Sequence, residues 1–309
     1  MSFVSLNLEN FKHAGTRAVK FDRVSVVRGG LGGARSQVFD AMGLLRDIAE
    51  GRGADTAPAA WFGTEWPTVI AAAFRTERHG ELTYSATLQR IDERRVRVVG
   101  ERLACGEEQL LVRTRYAYSL GRTQGRYGIG AQEFALHKAA AVVPADDPIA
   151  ELTAELRSLW MVNPNPSAMK GVVGTAPLRD GDASFSNLVT CIVMQRTRPA
   201  VARAMMEMVR RVNPDLRRCA VERNANGAPY LAVYRNSDLD ARGTSFGQLE
   251  NGEKMLFLAA FVCAMNAQVA PMPVVWDSPL NWLGGRERAT VANLLRQSFA
   301  HRGQLVMLA

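Results

Sequence analysis

The chain has 309 residues, of which 47% are hydrophobic and 22% are charged, and its 38 Lys and Arg against 30 Asp and Glu give a net charge of +8. These fractions are ordinary for a globular protein and exclude disordered, collagen-like and mucin-like chains. The length fits one large domain or two closely joined ones.

The N-terminal segment predicts a strand, a glycine-rich loop and a helix. Residues 4–8 alternate apolar and polar side chains, which indicates a half-buried strand. A second strand over 24–27 runs into the glycine-rich residues 29–33, and apolar residues at 38, 39, 42, 45 and 48 then predict a helix. A strand, a loop and a helix in this order are what a phosphate-binding loop requires.

The middle of the chain predicts an antiparallel meander followed by helices. Residues 51–60 contain Gly and Pro but no large apolar side chain, and they predict a surface loop. Four β-rich runs follow at 68–74, 82–91, 95–99 and 109–118. Residues 121–148 show no clear pattern, whereas 149–160 and 183–212 have helical periodicity, with Pro199 dividing the second stretch.

The last third predicts a strand pair and then a buried helix between strands. Residues 217–222 and 230–234 flank the turn signal Asn226-Gly227. A helix begins at Met255, and its apolar stretch of 11 residues is too short to span a bilayer. A strand over 273–277 ends in Asp277, and a helix at 286–299 and a strand at 304–308 follow.

The cysteines and histidines give no sign of a zinc site or a disulfide framework. The four cysteines form no CxxC motif, and no two of the four histidines lie four residues apart. The N-terminus lacks the basic start and continuous apolar run of a signal peptide. We therefore expect a protein of the reducing cytoplasm, with no zinc and no membrane partner.

Four segments, in this order, resemble the motifs of ATPase heads of the ABC superfamily, in the branch that contains RecF, the SMC proteins and the OLD-type nucleases. Residues 8–12 resemble the opening strand of that branch, 29–36 its Walker A loop, 249–254 its signature motif and 274–279 its Walker B strand. The resemblance implies an α/β P-loop NTPase fold, a mixed sheet with an antiparallel β subdomain and a helical insertion. It also implies a single head over 1–309, made of an N-terminal lobe (1–120), the helical insertion (121–215) and a C-terminal lobe (216–309).

The resemblance also implies a nucleotide site with altered residues. The phosphates would contact Gly29, Gly32, Gly33, Ala34, Arg35 and Ser36, and Mg²⁺ would be held by Ser36 and Asp277. Ala34 replaces the second motif glycine, and its Cβ would hinder the turn if φ is positive there. Arg35 replaces the motif lysine with a wide planar fork. We therefore expect weak binding of ATP and Mg²⁺.

The residues expected to support hydrolysis depart further from the family. Ser278 stands where the family places the glutamate that polarises water, and serine is no base at neutral pH without an activating partner. Glu250 replaces the signature serine, and its carboxylate would repel the γ-phosphate. The signature-like segment consists of Leu249, Glu250, Asn251, Gly252 and Glu253. The family's switch histidine would follow the last strand, where this sequence ends at Ala309.

Three functions fit these features. The first is a degenerate ATPase head that acts as a homodimer or with a partner protein, in DNA metabolism, mobile-element biology or defence. The second is an active ATPase in which Arg35 replaces the lysine and a neighbouring protomer supplies Glu250 or Glu253 as the acid. The third is a non-enzymatic DNA-binding module that uses arginine clusters at 94–97 and 210–218.

Overall fold

The computed structural model describes residues 2–13, 15–29, 33–121, 125–174, 183–237 and 243–309. It divides into two compact units, Met1–Leu159 and Trp160–Ala309. The three lobes expected from the sequence, with bounds at residues 120 and 215, stay a prediction.

The N-terminal unit is built on an eight-stranded antiparallel sheet with the strand order β2-β1-β4-β5-β6-β7-β8-β9. The predicted meander is therefore confirmed, but the prediction of a single strand over 109–118 is wrong. This run forms two strands, because the exposed residues Arg115 and Tyr116 make a turn. The strands of this unit are β1 (Ser2–Glu9), β2 (Arg17–Lys20), β3 (Val24–Val27), β4 (Thr68–Thr76), β5 (Gly80–Arg90), β6 (Val96–Cys105), β7 (Glu108–Thr114), β8 (Ala117–Leu120) and β9 (Arg126–Gly128).

One face of this sheet forms the core of the unit. Ile70, Phe74, Leu82, Tyr84 and Leu88 alternate along β4 and β5 and are fully buried, as the two-residue period of a strand requires. The helices are α1 (Ala34–Glu50), α2 (Ala135–Ala140) and α3 (Pro148–Arg157), and α1 packs against both of the others.

A buried ion pair also lies in this core. Glu101 on β6 is paired in register with Arg113 on β7, and their side chains are fully buried. The Glu101 carboxylate accepts hydrogen bonds from Tyr84 Oη at 2.8 Å and from the backbone N–H groups of Ala135 at 2.6 Å and Leu136 at 3.2 Å. It therefore anchors the first turn of α2 to the sheet.

The C-terminal unit contains a parallel and an antiparallel sheet. Its elements are β10 (Trp160–Val162), α4 (Leu188–Met194), α5 (Pro199–Val212), β11 (Leu216–Arg223), β12 (Pro229–Arg235), β13 (Thr244–Ser245), α6 (Asn251–Gln268), β14 (Pro273–Asp277), α7 (Gly285–Phe299) and β15 (Gln304–Leu308). β14 lies between β10 and β15, parallel to both, and β12 lies between β11 and β13, antiparallel to both.

The helices of this unit follow the sequence pattern. Pro199 is the first residue of α5, where its missing N–H costs nothing. α6 is buried from Lys254 to Asn266 and packs against α5 and α7. The region expected as a helical insertion, 121–215, contains α2 to α5 but also the short strands β9 and β10.

Candidate nucleotide site

The phosphate-binding loop predicted from the sequence lies between β3 and α1, in the N-terminal unit. Gly32, with residues 30 and 31, lies outside the described residues. A Cβ on Gly29 would come within 3.2 Å of the Ala34 Cβ and backbone N, so Gly29 lies close to the start of α1, and a larger residue would require its neighbours to shift by a few tenths of an ångström. Gly33 is the N-cap of α1, and its carbonyl accepts hydrogen bonds from Gln37 N at 3.3 Å and Ser36 Oγ at 3.4 Å.

The backbone at Ala34 does not have the positive φ that would make its Cβ a source of strain. Ala34 is the first residue of α1 and is not among the residues with positive φ. Its Cβ therefore causes no backbone strain, and the helix begins normally. Arg35 lies half-buried in the same first turn. A helix N-terminus presents N–H donors that suit phosphate, so this end of α1 keeps the general properties of an anion site.

A cavity that the sequence did not reveal lies in the same unit. It has a volume of about 290 Å³ and is lined by Asn10, Phe62, Trp66 and Arg90, among others. The Trp66 side chain is 70% exposed, whereas Phe62 is buried, and the Arg90 Nε atom is buried without a hydrogen-bond partner among the described residues. The cavity thus combines an accessible aromatic ring with a guanidinium group.

An ion pair connects the turn beside this cavity to α1. Lys12, in the turn that follows Asn10, pairs with Asp40 on α1 and lies 4.8 Å from the centre of the Trp61 ring. Lys12 belongs to the segment that resembles the family's opening strand. The sequence drew attention to this segment but not to the contact, because the two partners are 28 residues apart.

The predicted Mg²⁺ ligand Asp277 lies in the C-terminal unit, at the carboxyl end of β14. Ser278 follows in a left-handed conformation with φ of 55°. Its backbone N–H donates to Leu308 O at 2.8 Å, and its hydroxyl donates to Asp277 Oδ1 at 3.0 Å. The serine therefore acts as a donor to the carboxylate, and it adds no proton acceptor of the kind that a glutamate would supply.

Asn163 lies at the same edge of the parallel sheet and was missed by the sequence analysis. Val162 on β10 is paired with Trp276 on β14, so Asn163, which follows β10, comes next to Asp277, the last residue of β14. Polar groups that follow parallel strands at one edge commonly line ligand sites. The strand β10 has only three residues, which is too short to show a clear period in the sequence.

The signature-like segment forms the start of α6. Leu249 is buried and Glu250, the N-cap, is exposed. The Glu253 carboxylate accepts a hydrogen bond from Glu250 N at 3.2 Å and pairs with Arg235 Nη2 at 2.6 Å, and its side chain is only 11% exposed. A Cβ on Gly252 would lie 3.0 Å from Trp282 O. These contacts of Glu253 lie within the C-terminal unit, whereas Glu250 faces solvent.

The predicted set is divided between the two units. The loop residues belong to the N-terminal unit, and Asp277, Ser278 and the signature-like segment belong to the C-terminal unit. The described part of the chain contains no group of three or more His, Cys, Asp and Glu side chains that could hold a metal ion. No helix among these residues is long and apolar enough to cross a membrane.

Comparison with known proteins identifies the fold. No protein-family model matches the chain, and neither does any curated protein. Among solved structures, an SmcHead bound to the C-winged helix domain of ScpA matches with a TM-score of 0.61 and 13% identity over 100% of this chain and 90% of that one. An Smc head domain from Pyrococcus furiosus, bound to the C-terminal domain of ScpA, matches with a TM-score of 0.54 and 14% identity over 99% of this chain and 89% of that one.

A third similar structure is the SMC head domain from Thermotoga maritima, with a TM-score of 0.50 and 15% identity over 100% of this chain and 89% of that one. The similarity extends along nearly the whole chain in all three cases. The protein therefore has the fold of an SMC head domain. At such low identity, the likeness shows the fold alone.

Proposed function

We propose that this chain is an ATP-binding head of the SMC and RecF type that binds ATP weakly, has largely lost hydrolysis, and acts as a dimer or through a partner protein. The observation that carries the proposal is Ser278. Its hydroxyl donates to Asp277 at the end of β14, where hydrolysis needs a proton acceptor. ScpA, which is bound in two of the similar structures, illustrates the kind of partner that such a head takes.

Weak binding of ATP follows from the altered loop. The contacting set is Gly29, Gly32, Gly33, Ala34, Arg35 and Ser36, with Ser36 and Asp277 on Mg²⁺. A nucleotide supplies the Mg²⁺ ion together with its phosphates, and this chain would orient them through the N-terminus of α1. Because Arg35 replaces a compact ammonium, we expect a Kd above about 100 μM for ATP.

We assign the nucleoside to the cavity beside Trp66. Its exposed indole ring could stack on a base, and Arg90 and Asn10 could bind polar atoms. Calorimetry with a non-hydrolysable ATP analogue and with inorganic triphosphate tests this assignment. Trp66→Ala should weaken binding of the analogue and leave binding of triphosphate unchanged. An equal loss of affinity for both ligands would show that the base does not bind in this cavity.

The active-ATPase alternative depends on an acid from a neighbouring protomer. Glu253 suits this role poorly, because it is bound to Arg235 and to the start of α6. Glu250 is exposed and stays a candidate. Release of phosphate from ATP with Mg²⁺ separates the two functions, with Asp277→Ala as the inactive variant and Asp55→Ala, at an exposed turn, as the matched control.

We expect the wild-type protein to release phosphate no faster than Asp277→Ala. Ser278→Glu should raise the rate, provided that its circular dichroism and melting curve show an intact fold. Wild-type turnover that disappears in Asp277→Ala but persists in Asp55→Ala would refute loss of hydrolysis and would favour the active ATPase.

A role in DNA metabolism, mobile-element biology or defence, in the cytoplasm, completes the proposal, and direct DNA binding is its second candidate. The arginines proposed for DNA are partly engaged within the protein: Arg95 pairs with Asp92, Arg97 donates to Gln89, and Arg218 stacks on Tyr234 at 3.9 Å. Binding to duplex DNA should fall linearly on a plot of log affinity against log salt if phosphates are neutralised. A flat salt dependence would exclude this candidate.

A further inference from the structure

A second cavity in the N-terminal unit shares no lining residue with the loop or with the cavity beside Trp66. Its volume is about 350 Å³. Its floor consists of Leu110, Leu120 and Ile149, each at most 3% exposed, and one wall is formed by Val142, which is 58% exposed. Binding pockets for small ligands typically have 300–1,000 Å³ and a mostly apolar lining, so this cavity has the size and the surface of a ligand site.

The backbone holds the floor of this cavity in place. Ala104 on β6 is paired with Gln109 on β7, but Leu103 is paired with Leu111, so Leu110 is the extra residue of a β-bulge. A bulge redirects a side chain relative to its neighbours on the strand. The Leu110 carbonyl accepts a hydrogen bond from Gly121 N at 3.0 Å, which fixes the end of β8 against the bulge.

Two carboxylates stand at the rim of the cavity. Asp147 Oδ1 accepts a hydrogen bond from Ile149 N at 2.8 Å and so forms the N-cap of α3. Asp146 is exposed. Neither carboxylate has a Lys, Arg or His partner within 4.0 Å in the described ranges, although the chain as a whole carries a net charge of +8.

The two carboxylates differ in what they can do for a ligand. The N-terminus of α3 carries a partial positive charge, and the capping carboxylate of Asp147 compensates it. Asp146 makes no such contact, so its negative charge is left for a group that enters the cavity. An apolar floor beside one available carboxylate is complementary to an apolar group that ends in a cation.

We propose that this cavity binds such a group: an apolar body that lies on Leu110, Leu120 and Ile149, with an ammonium or guanidinium end beside Asp146. A free amine and a peptide in which Lys or Arg adjoins an apolar residue share this chemistry. The proposal does not depend on ATP binding.

Ligand-observed NMR with the full chain tests the proposal through three probes of one shape. The probes are 4-phenylbutylamine, which is a cation at neutral pH, the neutral 4-phenylbutanol and the anion 4-phenylbutyrate. The amine should bind about fivefold more tightly than the alcohol, which is what one exposed ion pair supplies. The anion should bind more weakly than the alcohol.

Two variants separate the charge from the apolar surface. Asp146→Asn should remove the preference for the amine and leave the affinity for the alcohol unchanged. Asp55→Asn, the matched control at another exposed aspartate, should change neither affinity. Val142→Asp should weaken binding of the alcohol, because it places a charge in the apolar wall. Two short peptides, identical except that one contains Phe-Lys and the other Phe-Gln, then show whether the cavity also binds a cation that belongs to a peptide.

Preference for the amine that depends on Asp146 supports the proposal, and binding of the Phe-Lys peptide identifies a partner segment as one source of the ligand. Equal binding of amine and alcohol would overturn it. So would an equal effect of Asp146→Asn and Asp55→Asn, or the absence of binding by all three probes.

Discussion

Removal of the Glu101 carboxylate should be among the most destabilising changes in the N-terminal unit. In the wild-type protein this group accepts hydrogen bonds from the Tyr84 hydroxyl and from the first two N–H groups of α2, and it pairs with Arg113 Nη1 at 3.4 Å. Glu101→Ala leaves these donors, and a buried guanidinium, without their acceptor. Removal of one partner of a buried ion pair costs about 3–5 kcal/mol.

That cost is a large fraction of the roughly 5–15 kcal/mol that stabilise a typical domain. Unfolding by urea, followed by circular dichroism, measures it directly. The exposed pair of Arg95 and Asp92 provides the control, because their side chains are 65% and 40% exposed. Arg95→Met should cost less than about 1 kcal/mol.

A double-mutant cycle shows whether the pair itself is responsible. In Glu101→Leu combined with Arg113→Met, no buried charge remains, so the double variant should lose less free energy of unfolding than the two single variants added together. Strictly additive losses would refute direct coupling. A loss of less than about 1 kcal/mol for Glu101→Ala, similar to that for Arg95→Met, would show that the buried pair does not hold α2 to the sheet.

Three further outcomes follow from other local features. Burial raises the pKa of Glu101, against the lowering effects of the Ala135 N–H and Arg113, so the folded state binds this proton more tightly than the unfolded state. The free energy of unfolding that this carboxyl contributes is therefore lost as pH rises through its raised pKa. When the pH is lowered towards 4.5, the ordinary pKa of a glutamate, the wild-type protein should gain stability relative to Glu101→Gln. Urea titrations of both proteins at several pH values would show this. Burial also raises the pKa of the Cys263 thiol to about 12, so iodoacetamide at pH 8 should modify Cys263 only after unfolding and the half-buried Cys105 before it, as mass spectrometry would show. Gly303→Ala should lower the melting temperature more than Gly80→Ala, because both have positive φ but only at Gly303 would the new Cβ lie 2.3 Å from another atom.

The site could be predicted from the sequence only in part. The loop between β3 and α1, the acid at the end of β14 and the start of α6 are contiguous segments whose residue types suggested a nucleotide site, and their role in such a site stays a prediction. Strain at Ala34 was expected only if its φ were positive, and this condition is not met, because α1 begins at this residue and its φ is negative. The contacts of Lys12 with Asp40 and of Glu253 with Arg235 join distant segments, and no local pattern indicates them.

The sequence by itself determined the kind and order of most elements, because hydrophobic periodicity and Pro, Gly and Asn-Gly signals act over a few residues. It predicted β3, β14 and β15, the helices on either side of Pro199 and the antiparallel meander. Only the tertiary structure decided the turn inside 109–118, the bulge at Leu110, and the pairing of Glu101 with Arg113. These features depend on strand register, which is set by contacts between segments far apart in the chain, and a shift of one residue would move every side chain to the other face of the sheet.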